Sequence, residues 1–237
     1  MDDNKKVLPQ PGGWDHAHLA VRAALSALPV AGGPAAELFA AIIAPPLARR
    51  RDEWLQSLAD ALATLQERVQ GFRAESLADQ EEFVSAALQA THAAMRTHQK
   101  EKIEALRSTV LNAALGRAPD EDLQAVFLGY VETLTTWHIR ILRFFEAPLR
   151  LAAQRGGRTD YVIGGALAPV LEECFPELRG QRDFYGQIVR DLAARGFLNS
   201  GNDILHVMMT PSGLDAKRTT ELAGKFLAFI SAPSELR

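Results

Sequence analysis

Apolar and polar positions alternate along most of this chain with a helical rhythm. Leu55, Leu58, Leu62, Leu65, Val69 and Phe72 recur three and four residues apart, the spacing that gathers side chains on one helix face as a coiled-coil-like seam. Gly71 marks its end. A second helical stretch is predicted from about 79 to 115, with Phe83, Leu88, Met95, Ile103, Leu106 and Val110 as core positions. Polar His98-Gln99-Lys100-Glu101-Lys102 interrupts its middle. Neither seam can stay in water and the link between them is short, so residues 47–116 are expected to form an antiparallel helical pair.

The amino-terminal part follows a different pattern. A helix is predicted from Trp14 through Leu28, where Pro29 ends it, and Gly32-Gly33 supplies a corner. Pro34 then opens a helix that Pro45-Pro46 should stop near Ala44. Such a helix would reach only roughly 16 Å, at about 1.5 Å per residue, against a hydrocarbon layer of about 30 Å. The expectation is therefore a buried hairpin, with Leu38, Phe39, Ile42 and Ile43 seated in a core or a partner's groove. The alternative is an effector that releases this hairpin into a membrane, and Arg49-Arg50-Arg51 beside it is the kind of basic flank that accompanies lipid contact.

Gly116-Arg117-Ala118-Pro119 reads as a boundary and Asp120-Glu121-Asp122 as a helix start, which divides the chain into 1–118 and 119–237. Beyond it the pattern predicts short helices, a strand over Ile204–Met209, a turn at Pro211-Ser212-Gly213, a second strand near Arg218–Thr220 and a closing helix. The fold class expected is mainly α: a helical bundle with a long antiparallel pair and a small α+β carboxy-terminal part.

The succession "IVRDLAARGFL", hairpin, "TTELAGKFLAFI" resembles a winged-helix domain over about 133–231, with Leu192, Gly196, Phe197 and Leu198 at the places where the helix leads into the wing. The resemblance implies a recognition helix over about Gln181–Arg195 exposing Arg182, Gln187 and Arg190, with Lys217 and Arg218 in the wing. These would contact DNA or, since winged helices also dock proteins, a protein partner. Asp183, Asp191, Asp203 and Asp215 interleave with those cations. The whole chain also resembles uncharacterised bacterial proteins near the abortive-infection alpha-like group, which implies a role in antiviral defence.

Composition narrows the field. The 237 residues are 47% hydrophobic and carry a formal charge of -3, enough for a substantial core and no general attraction to polyanions. The most basic stretch holds Arg140, Arg143, Arg150, Arg155 and Arg158, which reads as a solvated face or a site for an acidic partner. Cys174 is the only cysteine, so an internal disulfide is excluded and a reducing cytoplasm suits the chain. No apolar signal region follows the first charges, and export by that route is not expected.

Chemistry-bearing motifs are scarce. Asp15, His16 and His18 would share an ion only in extended backbone, and His92 and His98 fall on different helix faces. The Gly156-Gly157 and Gly164-Gly165 pairs lack the spacing of a phosphate cradle. His138 beside Trp137 reads as a half-buried imidazole, and Glu172 and Glu173 oppose thiolate formation at Cys174. The sequence thus predicts no catalytic, metal or cofactor site, but an interaction protein with a protein partner, a homodimer through the seams as one option, and DNA or membrane as further candidates.

Overall fold

The computed structural model describes residues 34–160, 164–199 and 204–236, and the helix predicted over Trp14–Leu28 lies outside them. The chain divides into two units, Met1–Arg50 and Arg51–Arg237. It is mainly helical, as the periodicity predicts. Helix α1 spans Pro34–Arg68. It is followed by a 3-10 turn at Ala74–Asp79, α2 (Glu81–Met95), α3 (Lys100–Ala114), α4 (Glu121–Thr133), α5 (Thr136–Glu146), α6 (Pro148–Gln154), α7 (Leu167–Cys174), α8 (Arg182–Ala194), α9 (Pro211–Asp215) and α10 (Glu221–Phe229).

The first correction concerns Pro45 and Pro46, which lie inside α1 instead of ending it. A proline ring removes one amide and crowds the carbonyl four residues back. The cost falls on the carbonyls of Ala41 and Ile42, and the helix nevertheless continues to Arg68. Arg49-Arg50-Arg51 accordingly sits within a helix and not at its start.

In the second unit the seam behaves as its spacing demands at Leu58 and Leu65, which are buried together with Trp54. The indole Nε1 of Trp54 donates to Thr91 Oγ1 at 2.9 Å, joining α1 to α2. Leu55 is the exception and remains exposed. Gly71, at φ +82°, closes this region, a left-handed conformation that suits glycine.

The stretch predicted over 79–115 is two helices broken at Arg96–Gln99, where the polar run begins, and α2 and α3 fold against each other. Ala86, Ala90, Ala93 and Ala94 of α2 and Ala105, Leu106 and Val110 of α3 are all buried in the same apolar cluster. Leu88, expected in the core, is 58% exposed on the opposite face.

Asp120 accepts from the Leu123 amide at 3.0 Å and starts α4 where the acidic run predicts it. The division expected at 118/119 does not separate two cores: Trp54, Leu106, Phe127, Tyr185 and Phe226 belong to one continuous apolar cluster. Its centre is aromatic, with Phe197 stacked on Phe226 at 5.1 Å and Tyr130 edge-on to Phe197 at 5.2 Å.

The two predicted strands are reduced to isolated antiparallel bridges, Gly165 with Met209 and Leu198 with Thr219. Ile204 and Leu205 are both buried, and adjacent residues on one side break the alternation that a strand requires. The Pro211-Ser212-Gly213 turn is the start of α9, capped by Thr210, whose hydroxyl accepts from the Gly213 amide. Gly164, at φ +93°, lies so close to this segment that a Cβ there would sit 2.0 Å from the Met209 carbonyl oxygen.

Candidate interaction surfaces

The nine residues singled out in the sequence fall on three segments: α1, α8 and the stretch after α9. Leu38, Phe39, Ile42 and Ile43 are 62%, 57%, 58% and 38% exposed, not buried in a hairpin. At about 100° per residue they cover an arc of roughly 140° on α1, and Leu47, also exposed, widens it. Leu47 was not singled out in the sequence, because it joins this face only when the helix continues through the prolines. No helix among the described residues is long and apolar enough to cross a membrane.

The second group lies around α8. Arg182, Gln187 and Arg190 are exposed as the resemblance implies, and Tyr185, Ile188, Val189 and Leu192 hold the other face in the core. They are not an uninterrupted basic stripe. Arg190 Nη2 donates to Gln187 Oε1 at 2.9 Å, and Gln187 Nε2 donates to Asp191 Oδ1 at 2.8 Å, a chain that ends on a carboxylate. Phe184, 42% exposed, stands among them.

Lys217 and Arg218 are committed elsewhere. Lys217 Nζ donates to Glu146 Oε1 at 2.7 Å, and Thr219 Oγ1 donates to the other oxygen of that carboxylate. Arg218 is half-buried, its Nη2 donating to the Gly213 carbonyl at 2.6 Å and lying 3.1 Å from Met209 Sδ. Its role is to tie α9 to the Leu198–Thr219 bridge. The exposed features of this loop are instead Val207 and Met208, at 50% and 73%.

His138 is buried and makes polar contacts on both ring nitrogens. It sits at N3 of α5 in a reciprocal cap with Thr135. Its Nδ1 lies 2.8 Å from Thr135 Oγ1 and accepts from the Thr135 amide at 3.2 Å, and Nε2 faces Asp191 Oδ2 at 3.5 Å. Burial lowers its pKa, partly opposed by Asp191. Hydroxyl, imidazole and carboxylate follow one another as in a nucleophile relay, but the nitrogen that would take the hydroxyl proton already receives an amide proton. The arrangement caps a helix and pins α5 to α8.

Other reactive groups are similarly occupied. Burial pushes the Cys174 thiol up to about 11, despite nearby Arg155, so thiolate is scarce near neutrality. Burial, with the Glu172 carboxylate that accepts its proton at 2.9 Å, pushes the Tyr185 phenol up to about 12. An open cleft of about 770 Å³ lies between α3, α4 and α10. Its polar lining is largely consumed by the fold: Asn112 Nδ2 donates to the Phe229 and Ser231 carbonyls at 2.8 and 2.9 Å, Asp120 caps α4, and Glu146 holds Lys217. Asn112 was not foreseen in the sequence, where one asparagine in a helix carries no signal of a partner far along the chain. Among the described residues no cluster of three metal-ligating side chains forms.

No family model, no curated protein and no solved structure matches this chain.

Proposed function

We propose that this chain is a non-enzymatic, cytoplasmic interaction protein that docks through the apolar face of the first half of α1. The observation that carries the reading is the solvent exposure of Leu38, Phe39, Ile42, Ile43 and Leu47 on one helix. Contiguous apolar patches are uncommon on monomeric surfaces and mark sites of association. The resemblance to the abortive-infection alpha-like group supports placing that association in a regulatory or defence setting. The test compares the wild-type chain with Phe39→Glu/Ile42→Glu by gel filtration of native-cell extracts. The wild type should elute in a larger species and the variant at its free size. Identical elution of both at the free size overturns the reading.

A second contact surface is proposed on the carboxy-terminal part. The order α7, α8, Leu198 bridge and Thr219 bridge supports the winged-helix resemblance. Protein docking is favoured over DNA, because Gln187, Arg190 and Asp191 are bonded together and Lys217 is held by Glu146. A gel-shift titration over salt should show no retained duplex, and a shift at low salt that disappears with Arg182→Ala/Arg190→Ala would reinstate DNA as the partner.

A further inference from the structure

The cleft between α3, α4 and α10 keeps one enclosed polar atom that the fold does not use. From it we infer that this cleft is a small-molecule site whose ligand is a neutral carboxamide with an apolar body. Its volume of about 770 Å³ falls in the range of pockets that hold small molecules. The atom is Asn112 Oδ1. Asn112 is 5% exposed and lines the cleft. Its Nδ2 donates to the Phe229 and Ser231 carbonyls, which fixes the way the amide points, since turning it over would set Oδ1 against two carbonyl oxygens. Among the described residues nothing donates to Oδ1. The atom is not sealed in the interior, so a donor reaches it through the cleft. An enclosed acceptor left without its hydrogen bond favours a ligand that brings it an N–H.

The rest of the lining decides what carries that N–H. Pro119, Leu123 and Leu227 supply apolar surface. The formal charges of the lining cancel, Arg117 and Lys225 against Asp120 and Glu146. Lys217 and Glu221, which pair with Glu146 and Lys225, cancel as well. That balance disfavours an ionic ligand such as a nucleotide or a polyamine. Lys225 is exposed and holds Glu221 through one contact at 3.2 Å, so its ammonium has N–H groups left for a carbonyl. An acceptor on a buried side chain, a donor on an exposed one and aliphatic surface in the same cleft match a carboxamide, its N–H on Asn112 and its hydrocarbon on Leu123 and Leu227.

The test is a titration of the full chain with benzamide and with acetophenone, followed by methyl NMR. Acetophenone has nearly the same shape, carries a methyl group in place of the amide nitrogen and is the more apolar of the two. Benzamide should bind saturably with a Kd of about 1–10 mM. It should shift the methyl signals of Leu123 and Leu227 and leave those of Leu65, which belongs to a separate apolar cluster, in place. Acetophenone should bind roughly fivefold more weakly or worse, because it brings no N–H to Asn112. Gly224→Leu should fill the cleft without harming the fold: a Cβ there meets only Lys217 Nζ, at 3.9 Å, and losing a glycine inside α10 favours the helix. This variant should melt no lower than the wild type and should not bind benzamide in the same range. Equal or tighter binding of acetophenone overturns the inference, since it describes an apolar crevice that makes no use of Asn112. So do a wild type that benzamide does not saturate, shifts that spare Leu123 and Leu227, and unchanged binding by a folded Gly224→Leu chain. Should that variant fail to fold, the wild-type methyl shifts and the benzamide–acetophenone ratio still decide.

Discussion

Residues 38–47 and 54–65 belong to one helix and carry similar amounts of aliphatic side chain, yet Leu38, Phe39 and Ile42 face solvent while Trp54, Leu58 and Leu65 are buried. Hydrophobicity alone does not decide burial. What separates the two is the three-four spacing after Trp54, which sets one face toward α2 and α3, and the Trp54–Thr91 hydrogen bond, which fixes its register. The adjacent pairs Leu38-Phe39 and Ile42-Ile43 spread over a broad arc instead. The first half of α1 thus keeps its apolar face in solvent and the second packs its own away.

The largest effect expected to test this contrast comes from truncating each half at its principal aromatic. Trp54→Ala should cost about 3–5 kcal/mol in urea unfolding, and Phe39→Ala should stay within about 0.5 kcal/mol of wild type. Equal losses would erase the distinction. Gly164→Ala supplies a measure of how little the second unit yields: its new Cβ would strike the Met209 carbonyl from a left-handed backbone, for a loss of roughly 3 kcal/mol. Full tolerance there would mean that the bridge is slack and the packed half less rigid than its burial implies.

A smaller effect follows from His138, which belongs to the packed half. Its folded pKa is lowered by burial, so the unfolded chain takes up protons first as pH falls. The stability held by the neutral imidazole is complete above the unfolded value of about 6.5 and is lost as pH drops through the folded value. Denaturant midpoints at pH 8 and pH 5 should differ in the wild type, and His138→Gln should flatten that dependence. The smallest change is expected from Pro45→Ala/Pro46→Ala, which restores two amides to the exposed half. Helical ellipticity should rise slightly, with the main unfolding midpoint unmoved.

The mainly helical class, the Asp120 cap and the glycine terminators at Gly71 and Gly116 were legible because each depends on local backbone chemistry, whereas the polar run at 98–102 marked an interruption whose actual place is Arg96–Gln99. The prolines misled because their rule states an energetic cost, and a long helix can absorb a local cost. Leu88 is exposed because the buried face of α2 is the one that carries Ala86, Ala90, Ala93 and Ala94, and residue 88 lies opposite them. For the candidate surfaces, residue type at α8 gave exposure correctly, but the inward grip of Arg218 on Gly213 and of Lys217 on Glu146 depends on segments that only the fold brings together.

Asn112 sets a condition on the timing of synthesis. Its amide reaches the Ser231 carbonyl, 119 residues further along the chain. At about 5–20 residues per second, a ribosome needs roughly 6–24 s to supply that acceptor. Throughout that interval the growing chain carries an amide whose final acceptors do not yet exist, so the last turn of α3 must wait, hydrated or guarded, for α10 and the residues after it to be made.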